Sequence, residues 1–174
     1  MAKILTLEEA AKYDGGTLAG TGHRPDKLGG YKTPNPIYTK VVKKTFEVLD
    51  ALKPETVISG MALGFDTILF KCALERGIPT IAAVPFDGFH SKWPAATQKE
   101  FEALLKRAKE VKFICEPGYA AWKMQKRNEF LVDESNLLFG MWDGSEGGTA
   151  NCIAYAKKYD DNQEFLIINP KELK

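Results

Sequence analysis

The stretch Ser59–Asp66, which reads Ser-Gly-Met-Ala-Leu-Gly-Phe-Asp, constrains the fold more than any other part of the chain. It follows the apolar run Thr56–Ile58 and opens a helical pattern over Phe65–Arg76. Small residues at such a turn let a ligand approach the backbone, and the first N–H groups of the helix favour an anion. Asp66 falls in the first helical turn, where it can accept hydrogen bonds from sugar hydroxyls. The pattern predicts a strand–turn–helix unit that holds a phosphate or a ribose; the alternative is a turn without a ligand.

The rest of the chain alternates between strand and helix patterns, which predicts an α/β, Rossmann-like three-layer fold with a mostly parallel sheet and helices on both faces. At 174 residues, a single domain is expected. Residues 1–15 are interpreted as an N-terminal extension that ends in the turn Asp14-Gly15-Gly16. The predicted strands are 17–19, 56–58, 80–84, 111–115, 136–142 and 165–168. The predicted helices are 37–52, 65–76, one that begins at a capping box Thr97–Glu100, 121–133 and 149–159.

Two further loops follow predicted strands in the first half of the chain. Gly20-Thr21-Gly22-His23-Arg24 offers backbone N–H groups and a guanidinium, which suit a phosphate; the alternative is a tight turn with a surface arginine. Pro85–Trp93 carries three aromatic residues, and Trp93 or a neighbour could stack on a base. The alternative is that these aromatic side chains fasten the loop to the protein body.

Two more loops lie in the second half. In the helix after Glu116-Pro117-Gly118, the charges at Lys123, Lys126 and Arg127 form mostly a solvated face, although Arg127 and Asn128 could point towards a ligand cleft. The turn Asp143–Thr149 feeds another helix, where Gly147-Gly148-Thr149 can hold an anion or can simply cap the helix.

Since the carboxyl ends of parallel strands share one edge of the sheet, these loops should converge on one site. The predicted ligand-binding residues are Gly20, Thr21, Gly22, His23, Arg24, Ser59, Gly60, Gly64, Asp66, Trp93, Arg127, Asn128, Asp143, Gly144, Gly147, Gly148 and Thr149. No catalytic residue is assigned; the candidates are Asp66, Glu146 and Asp143.

Composition excludes several other classes. The two histidines and three cysteines lack metal-ligand spacing, no cofactor fingerprint is present, and the partner expected is a small nucleotide-type molecule. The net charge of +1 makes DNA binding improbable without a local basic groove. No apolar run is long enough to predict a membrane span, and the first residues lack the features of a secretion signal. Cys72, Cys115 and Cys152 are expected to be buried reduced thiols, which is typical of a cytoplasmic protein.

The motifs Thr21-Gly22-His23-Arg24-Pro25, Ser59–Asp66 and Asp143–Thr149 together resemble the SLOG superfamily, and most closely its YpsA-like branch from firmicute bacteria and their phages. The resemblance covers about residues 17 to 170, and Trp93 and the pair Arg127-Asn128 belong to it. The superfamily includes the cytokinin-activating phosphoribohydrolases and the DNA-processing protein DprA. The resemblance implies a Rossmann-like domain that binds a nucleotide or nucleotide-derived ligand, and it makes a homodimer plausible.

The chain departs from the phosphoribohydrolases at one position. Those enzymes carry Gly-Gly-x-Gly-Thr-x-x-Glu, whose glutamate serves cleavage of the N-glycosidic bond, whereas here Cys152 stands at that place. A neutral thiol neither stabilises an oxocarbenium-like centre nor activates water well. Ligand binding in sensing or sequestration is therefore the first hypothesis, a hydrolase of an N-glycosidic or phosphoribosyl bond the second, and a DNA-binding or partner protein the third.

Overall fold

A computed structural model describes residues 3–12, 16–159 and 163–174. Seven parallel strands form one sheet in the order β1-β7-β6-β2-β3-β4-β5. The strands are β1 (Lys3–Ile4), β2 (Thr17–Gly22), β3 (Thr56–Ser59), β4 (Thr80–Val84), β5 (Glu110–Phe113), β6 (Leu137–Met141) and β7 (Glu164–Ile168). The helices are α1 (Leu7–Ala10), α2 (Pro36–Leu52), α3 (Phe65–Glu75), α4 (Ala95–Arg107), α5 (Ala121–Asp133) and α6 (Gly148–Tyr159). The predicted α/β class and parallel sheet are confirmed.

Strand order places a switch point beside β2. The chain builds β2, β3, β4 and β5 in one direction across the sheet, and then α5 returns it to β6 on the other side of β2. Neighbouring strands β2 and β6 therefore lead into helices on opposite faces. In parallel sheets, the crevice outside the carboxyl ends of two such strands is the usual ligand site.

The strands alternate between two apolar layers. Leu18 and Val57 pack in one cluster with residues of α2 and α3, whereas their neighbours Ala19 and Ile58 pack in another with residues of α5 and α6. This alternation follows from the period of two in a strand. Because both faces are covered, the inner strands are mostly apolar, as the run Thr80–Val84 predicts, whereas the edge strand β5 carries Glu110 and Lys112.

Strand β2 is longer than predicted and includes Gly20, Thr21 and Gly22. A Cβ atom on Gly20 would lie 2.1 Å from Leu69 Cδ2, and one on Gly22 would lie 2.5 Å from Phe65 Cδ2. The two glycines thus let α3 pack closely on β2. Their sequence signal resembles that of a loop, but the physical reason for them is packing.

Two other boundaries differ from the predictions. Helix α4 begins at Ala95 after Pro94, two residues before the predicted capping box, and Thr97 Oγ1 donates back to the Pro94 carbonyl, so the capping-box prediction is wrong. Residues Lys3–Ile4, treated as part of an extension, form strand β1 paired with β7. Asp14 and Gly15 of the predicted turn lie outside the described residues.

Candidate functional site

A polar cavity of about 240 Å³ lies beyond the carboxyl ends of β2 and β6, at the switch point. It collects residues from the ends of these strands, from the turn before α3, from the buried side of α5 and from the start of α6. The lining residues are Thr21, Gly22, His23, Arg24, Asp26, Lys27, Ala62, Asp66, Met124, Arg127, Asn128, Ser145, Glu146, Gly147, Gly148 and Thr149. Four of the five loops predicted to converge do so here; the loop after β4 does not.

His23 and Asp143 join the two strands at the switch point. His23 Nε2 lies 2.9 Å from Asp143 Oδ1 and 3.0 Å from the Asp143 backbone N, and both side chains are almost fully buried. The ring donates to the carboxylate when Nε2 carries the proton and accepts from the N–H when it does not. In either form it ties the end of β2 to the loop after β6.

Asp143 organises that loop. Its Oδ1 accepts hydrogen bonds from the Ser145 N–H at 2.9 Å and from the Ser145 hydroxyl at 2.5 Å, and its Oδ2 lies 3.1 Å from Lys171 Nζ. The hydrogen bonds from Ser145, then those from Lys171 and His23, hold the pKa of Asp143 well below its usual range. Ser145 Oγ also accepts from Lys27 Nζ. Asp143 is therefore a saturated carboxylate behind the cavity wall, and the structure does not place it among the lining residues.

Asp66 is the most deeply placed acid of the cavity. Its side chain is 94% buried, its Oδ2 accepts from the Ala62 N–H at 3.2 Å, and its Oδ1 has no hydrogen-bond partner among the described residues. Burial raises the pKa of this carboxyl above the ordinary value, although the positive charges of Arg127 and Arg24 oppose the shift. A buried acceptor without a partner costs free energy, so a ligand hydroxyl or amine that reaches it would restore a missing hydrogen bond.

Arg127 supplies a buried cation to the same cavity. Its Nε donates to Asn128 Oδ1 at 3.0 Å and its Nη1 donates to the Gly60 carbonyl. Burial lowers the pKa of this guanidinium, whereas the charge of Asp66 raises it. Asn128 in turn donates from Nδ2 to the Gly148 carbonyl at 3.3 Å, so that α5 holds the start of α6.

The start of α6 forms the upper wall of the cavity. The Asn151 N–H donates to the Gly147 carbonyl at 3.0 Å, which marks the first turn of the helix. Gly147, Gly148 and Thr149 line the cavity at this end. The exposed Arg24 and the half-buried Lys27 line the same cavity, and Lys27 Nζ donates to Ser145 Oγ in the loop that leads into α6, so two cations share the cavity with a helix start that favours an anion.

Several predicted residues support the cavity without lining it. Ser59 is fully buried, where its hydroxyl donates to the Asp66 carbonyl at 2.7 Å and accepts from the Met61 N–H at 3.2 Å. A Cβ atom on Gly64, whose φ is +94°, would lie 2.5 Å from the His23 carbonyl oxygen. Gly60 makes room for Arg127. Gly20, Ser59, Gly60, Gly64, Trp93, Asp143 and Gly144 are absent from the lining.

No residue of the aromatic loop after β4 is in the cavity lining, although the ring centroid of Phe89 lies 5.9 Å from Cζ of Arg127. Trp93 lies 5.3 Å from Phe89 and 5.2 Å from Phe101 between ring centroids, in edge-to-face contacts with the loop and α4. Trp93 is thus absent from the cavity lining, and its contacts are those of the alternative, in which the aromatic side chains fasten the loop to the protein body.

Lys123 also differs from its predicted place on a solvated face. The side chain is 92% buried, and Nζ donates to the carbonyls of Glu116 and Gly118 at 2.8 and 2.7 Å. The ammonium thus closes the loop that precedes α5, and it brings no charge to the cavity.

Sequence reasoning missed five lining residues, Asp26, Lys27, Ala62, Met124 and Ser145. Asp26 and Lys27 lie in a short 3₁₀ turn, Pro25–Lys27, where surface charge is ordinary. Ser145 lies within the predicted glycine turn, and only its position in that turn could have indicated that it lines the cavity. Nothing in the local pattern distinguishes Met124 from a core methionine.

Cys152, which replaces the phosphoribohydrolase glutamate, lies beneath the cavity floor. Its side chain is fully buried, its Sγ lies 3.8 Å from the Asn128 carbonyl oxygen, and burial raises the pKa of the thiol to about 12. A protonated thiol out of reach of the cavity cannot replace a carboxylate. Cys72 is likewise buried, whereas Cys115 is only half-buried, contrary to the prediction for that residue.

The described residues contain neither a cluster of metal ligands nor a helix of membrane-spanning length. In residues 3–12, 16–159 and 163–174, no three His, Cys, Asp or Glu side chains lie where they could hold a metal ion together. No helix in these ranges is long and apolar enough to cross a membrane.

Comparison with known proteins agrees with this geometry. The YpsA family model, described as the YspA SLOG family, matches residues 18–173. The chain belongs to this SLOG family. An uncharacterised SPbeta prophage-derived protein of Bacillus subtilis, YoqJ, is 33% identical, and the match covers 78% of this chain and 91% of YoqJ. A UPF0398 protein of Bacillus thuringiensis is 25% identical over 81% of this chain and 82% of its own.

Solved structures share the fold of this SLOG protein at low identity. The DNA-processing protein DprA of Streptococcus pneumoniae superposes with a TM-score of 0.63 at 18% identity, over 93% of this chain and 52% of DprA. This chain therefore spans about half the length of that DprA. The DprA of Helicobacter pylori, described as having a single-stranded DNA binding mode, gives a TM-score of 0.59 at 17% identity, over 90% of this chain and 66% of that one.

Proposed function

We propose that this SLOG protein binds a nucleotide or nucleotide-derived ligand, through its phosphate and ribose, in the cavity between β2 and β6, and that it acts in sensing or sequestration of that ligand. The observation that carries the proposal is the presence, in one cavity, of the Asp66 carboxylate, whose Oδ1 has no hydrogen-bond partner among the described residues, and of the buried Arg127 guanidinium. A ligand that supplies both a hydroxyl donor and an anion satisfies both groups.

In this proposal, the phosphate of the ligand binds at the end of the cavity that the start of α6 forms. Backbone N–H groups at a helix start favour an anion, and Gly147 and Gly148 leave no side chain in the way. Lys27 and Arg24 line the same cavity and add positive charge. A phosphate there would have backbone donors of a helix start and cationic side chains in one cavity, and both kinds of donor commonly bind phosphates.

In this proposal, the ribose of the ligand binds beside Asp66. Carboxylates accept hydrogen bonds from ribose hydroxyls in nucleotide-binding α/β proteins, and the free Oδ1 is the acceptor available here. The described lining contains no Phe, Tyr or Trp, so the cavity offers no aromatic surface for a base. Ligand selection is therefore expected to follow the sugar phosphate more than the base.

The test is a thermal-shift panel of nucleoside monophosphates, ADP-ribose, NAD, cyclic dinucleotides, ribose 5-phosphate and unphosphorylated nucleosides. A ligand that binds only the native state stabilises it by about 2.7 kcal/mol at one hundred times its dissociation constant, so weak ligands are detectable at high concentration. Phosphorylated compounds should shift the melting temperature and nucleosides should not. No shift with any member would contradict the proposal.

Matched variants locate the binding. D66N and R127Q should each remove the shift, whereas D87N and R107Q, which alter exposed residues outside the cavity, should keep it. Circular dichroism of each variant shows whether the fold is intact. If the cavity variants bind as well as the parent protein, the ligand lies elsewhere.

Hydrolysis of an N-glycosidic or phosphoribosyl bond is the second candidate function, and the environment of Asp66 favours it. Burial raises the pKa of the Asp66 carboxyl, which favours the protonated form that a general acid needs. Glu146 also lines the cavity and is exposed, so it is available to activate water. Chromatography of each ligand after incubation separates the two functions, because a binding protein returns the ligand intact and a hydrolase returns base and sugar phosphate.

Single-stranded DNA enters the test as a further ligand, because the Helicobacter DprA is described as binding it. Lys27, Arg24 and Arg127 form a small local group of cations despite the net charge of +1. A salt-dependent gel shift that R127Q abolishes would move the assignment from a small nucleotide to a DNA strand.

A further inference from the structure

The outer edge of β5 is an unpaired sheet edge. In the seven-stranded order β5 is terminal, and β4 is its only strand neighbour among the described residues. The Ile114 N–H donates to the Val84 carbonyl, so residues 110, 112 and 114 direct their backbone groups towards β4. Val111 and Phe113, which alternate with them, direct theirs outward. Such a row of free donors and acceptors is a template for another strand.

Exposed aromatic side chains lie beside this edge. Phe113 is 49% exposed, Trp122 is 59% exposed and Tyr119 is 74% exposed. They are three of the five exposed large hydrophobic residues in the described part of the chain, the others being Ile4 and Tyr31. Phe113 and Trp122 also line one shallow depression with Cys115 and Lys126. An apolar cluster next to a free edge is typical of an interaction surface.

The charges of β5 decide which partner fits. Glu110 and Lys112 lie on the same face of the strand, with Lys112 Nζ 3.4 Å from Glu110 Oε1 and 5.5 Å from the ring of Phe130 on α5. If a second β5 pairs antiparallel with the first about a two-fold axis at Val111, each Glu110 faces the Lys112 of the other copy. Opposite charges directly across two antiparallel strands stabilise the pair.

The backbone agrees with this register. Directly opposed residues of an antiparallel pair alternate between hydrogen-bonded pairs, which exchange both N–H···O bonds, and non-hydrogen-bonded pairs. The N–H and C=O of Val111 are directed outward, so an axis at Val111 makes it a hydrogen-bonded pair, whereas those of Glu110 and Lys112 are directed towards β4. The hydrogen-bonding pattern therefore permits an axis at Val111, and the charge pattern selects it.

We propose that the protein forms a two-fold homodimer by antiparallel pairing of β5 with β5 of a second copy, in the register centred on Val111, with Phe113 and Trp122 packed beside the new strand pair. The two sheets become one continuous sheet. In the strand order, β5 is separated from β2 by β3 and β4, so the cavity at the switch point stays open in each copy. The dimer does not depend on the proposed ligand.

A four-residue strand pair is a small contact, and specific interfaces below about 1,200 Å² in total are usually weak or transient. A reversible equilibrium between monomer and dimer is therefore expected. Sedimentation equilibrium over a wide range of protein concentrations measures it. A parent protein that stays monomeric at every concentration would overturn the proposal.

Charge exchange tests the register. E110K and K112E each place like charges opposite one another twice in a dimer and should weaken it about tenfold, since like charges directly across strands are destabilising. The double variant E110K/K112E restores opposite charges and should return the dissociation constant close to that of the parent. Equal affinities in all four proteins would exclude this register.

V111P tests the strand pairing itself. Proline removes the N–H at the axis, and an edge strand tolerates proline where that N–H faces outward, so the monomer should fold and the dimer should be lost. Circular dichroism reports folding, and the charge variants keep the test decisive if V111P does not fold. A V111P dimer as strong as the parent dimer would place the interface elsewhere on the surface. A mixed complex with a different protein and no homodimer would also overturn the proposal.

Discussion

A Cβ atom on Gly60 would lie 2.7 Å from Nη1 of Arg127, so the guanidinium lies across the backbone of residue 60 and excludes any side chain there. Gly60 is the first residue after β3, and Arg127 comes from α5. The glycine of one element thus positions the cation of another.

This contact predicts that G60A weakens ligand binding by moving Arg127. We expect a loss of at least about tenfold in affinity, since charge-assisted hydrogen bonds contribute roughly 1.5–3 kcal/mol. Calorimetric titration of the tightest ligand from the thermal-shift panel measures it. A G60A protein that folds and binds as tightly as the parent would show that Arg127 does not hold the ligand.

Close packing of α3 on β2 predicts that G22A destabilises the fold. Its Cβ would lie 2.5 Å from the ring of Phe65, and overpacking of this kind typically costs about 1–3 kcal/mol. G140A on the neighbouring strand β6 is the matched control, because its nearest contact would be Ile153 Cδ1 at 3.4 Å. Urea denaturation measures the free energy of unfolding of both variants. An equal loss of stability in G22A and G140A would mean that the space around Gly22 is not limiting.

The apolar pattern of the sequence was sufficient to predict most of the fold. It did not reveal why particular positions are glycine. The run Thr80–Val84 could be identified as a buried strand from its neighbours in the chain alone. Gly22 could not be interpreted in this way, because a glycine required by a turn and one required by Phe65 look identical in a sequence. The partner that explains it is 43 positions away.

The general location of the site could also be predicted from the order of strands and loops along the chain. Loops at the carboxyl ends of strands must converge in a parallel sheet, which is why Arg127 and Thr149 could be named in advance. The contact between His23 and Asp143 spans 120 positions, and no local pattern indicates that Asp143 is already saturated. Trp93 could be placed only once its packing partners on α4 were known.

The raised pKa of Asp66 predicts a pH-dependent gain in stability for D66N. The folded-state pKa lies above the ordinary 3.8, so ionisation penalises the native state, and this penalty is absent at low pH and develops as pH rises through the folded pKa. We therefore expect D66N to melt at a higher temperature than the parent at pH 7 and above, with a smaller difference towards pH 4. Melting curves across this range measure it. A variant that is less stable at every pH would contradict the assignment.

The lowered pKa of Asp143 predicts the opposite dependence for D143N. Here the ionised form is favoured in the native state, so its contribution is present above the ordinary pKa of 3.8 and is lost as pH falls through the lower folded value. D143N should lower the melting temperature at neutral pH, and the difference should shrink in strong acid. If D143N lowered the melting temperature by the same amount at every pH, the loss would come from packing, because the charge of Asp143 would then contribute little.

Thiol accessibility predicts that one of the three cysteines reacts in the native protein. The thiolate is the reactive form, and burial raises the pKa of both Cys72 and Cys152 to about 12, whereas Cys115 is partly exposed. Titration with a disulfide reagent should report one thiol before and three after denaturation in urea. Rapid reaction at Cys152, detected by peptide mapping, would show that the floor of the cavity opens.

The position of the site in the strand order also determines when it can exist during synthesis. Strand β2 is made early, but its partner β6 and the first turn of α6 follow more than one hundred residues later, and such distant pairings form late because the intervening chain must first be closed into a loop. Until β6 and the start of α6 have been made, the chain presents His23 and Arg24 without the rest of the cavity. A ligand of the proposed site could therefore bind only after these later elements have folded onto β2, and its binding would help to hold the newly joined strands together.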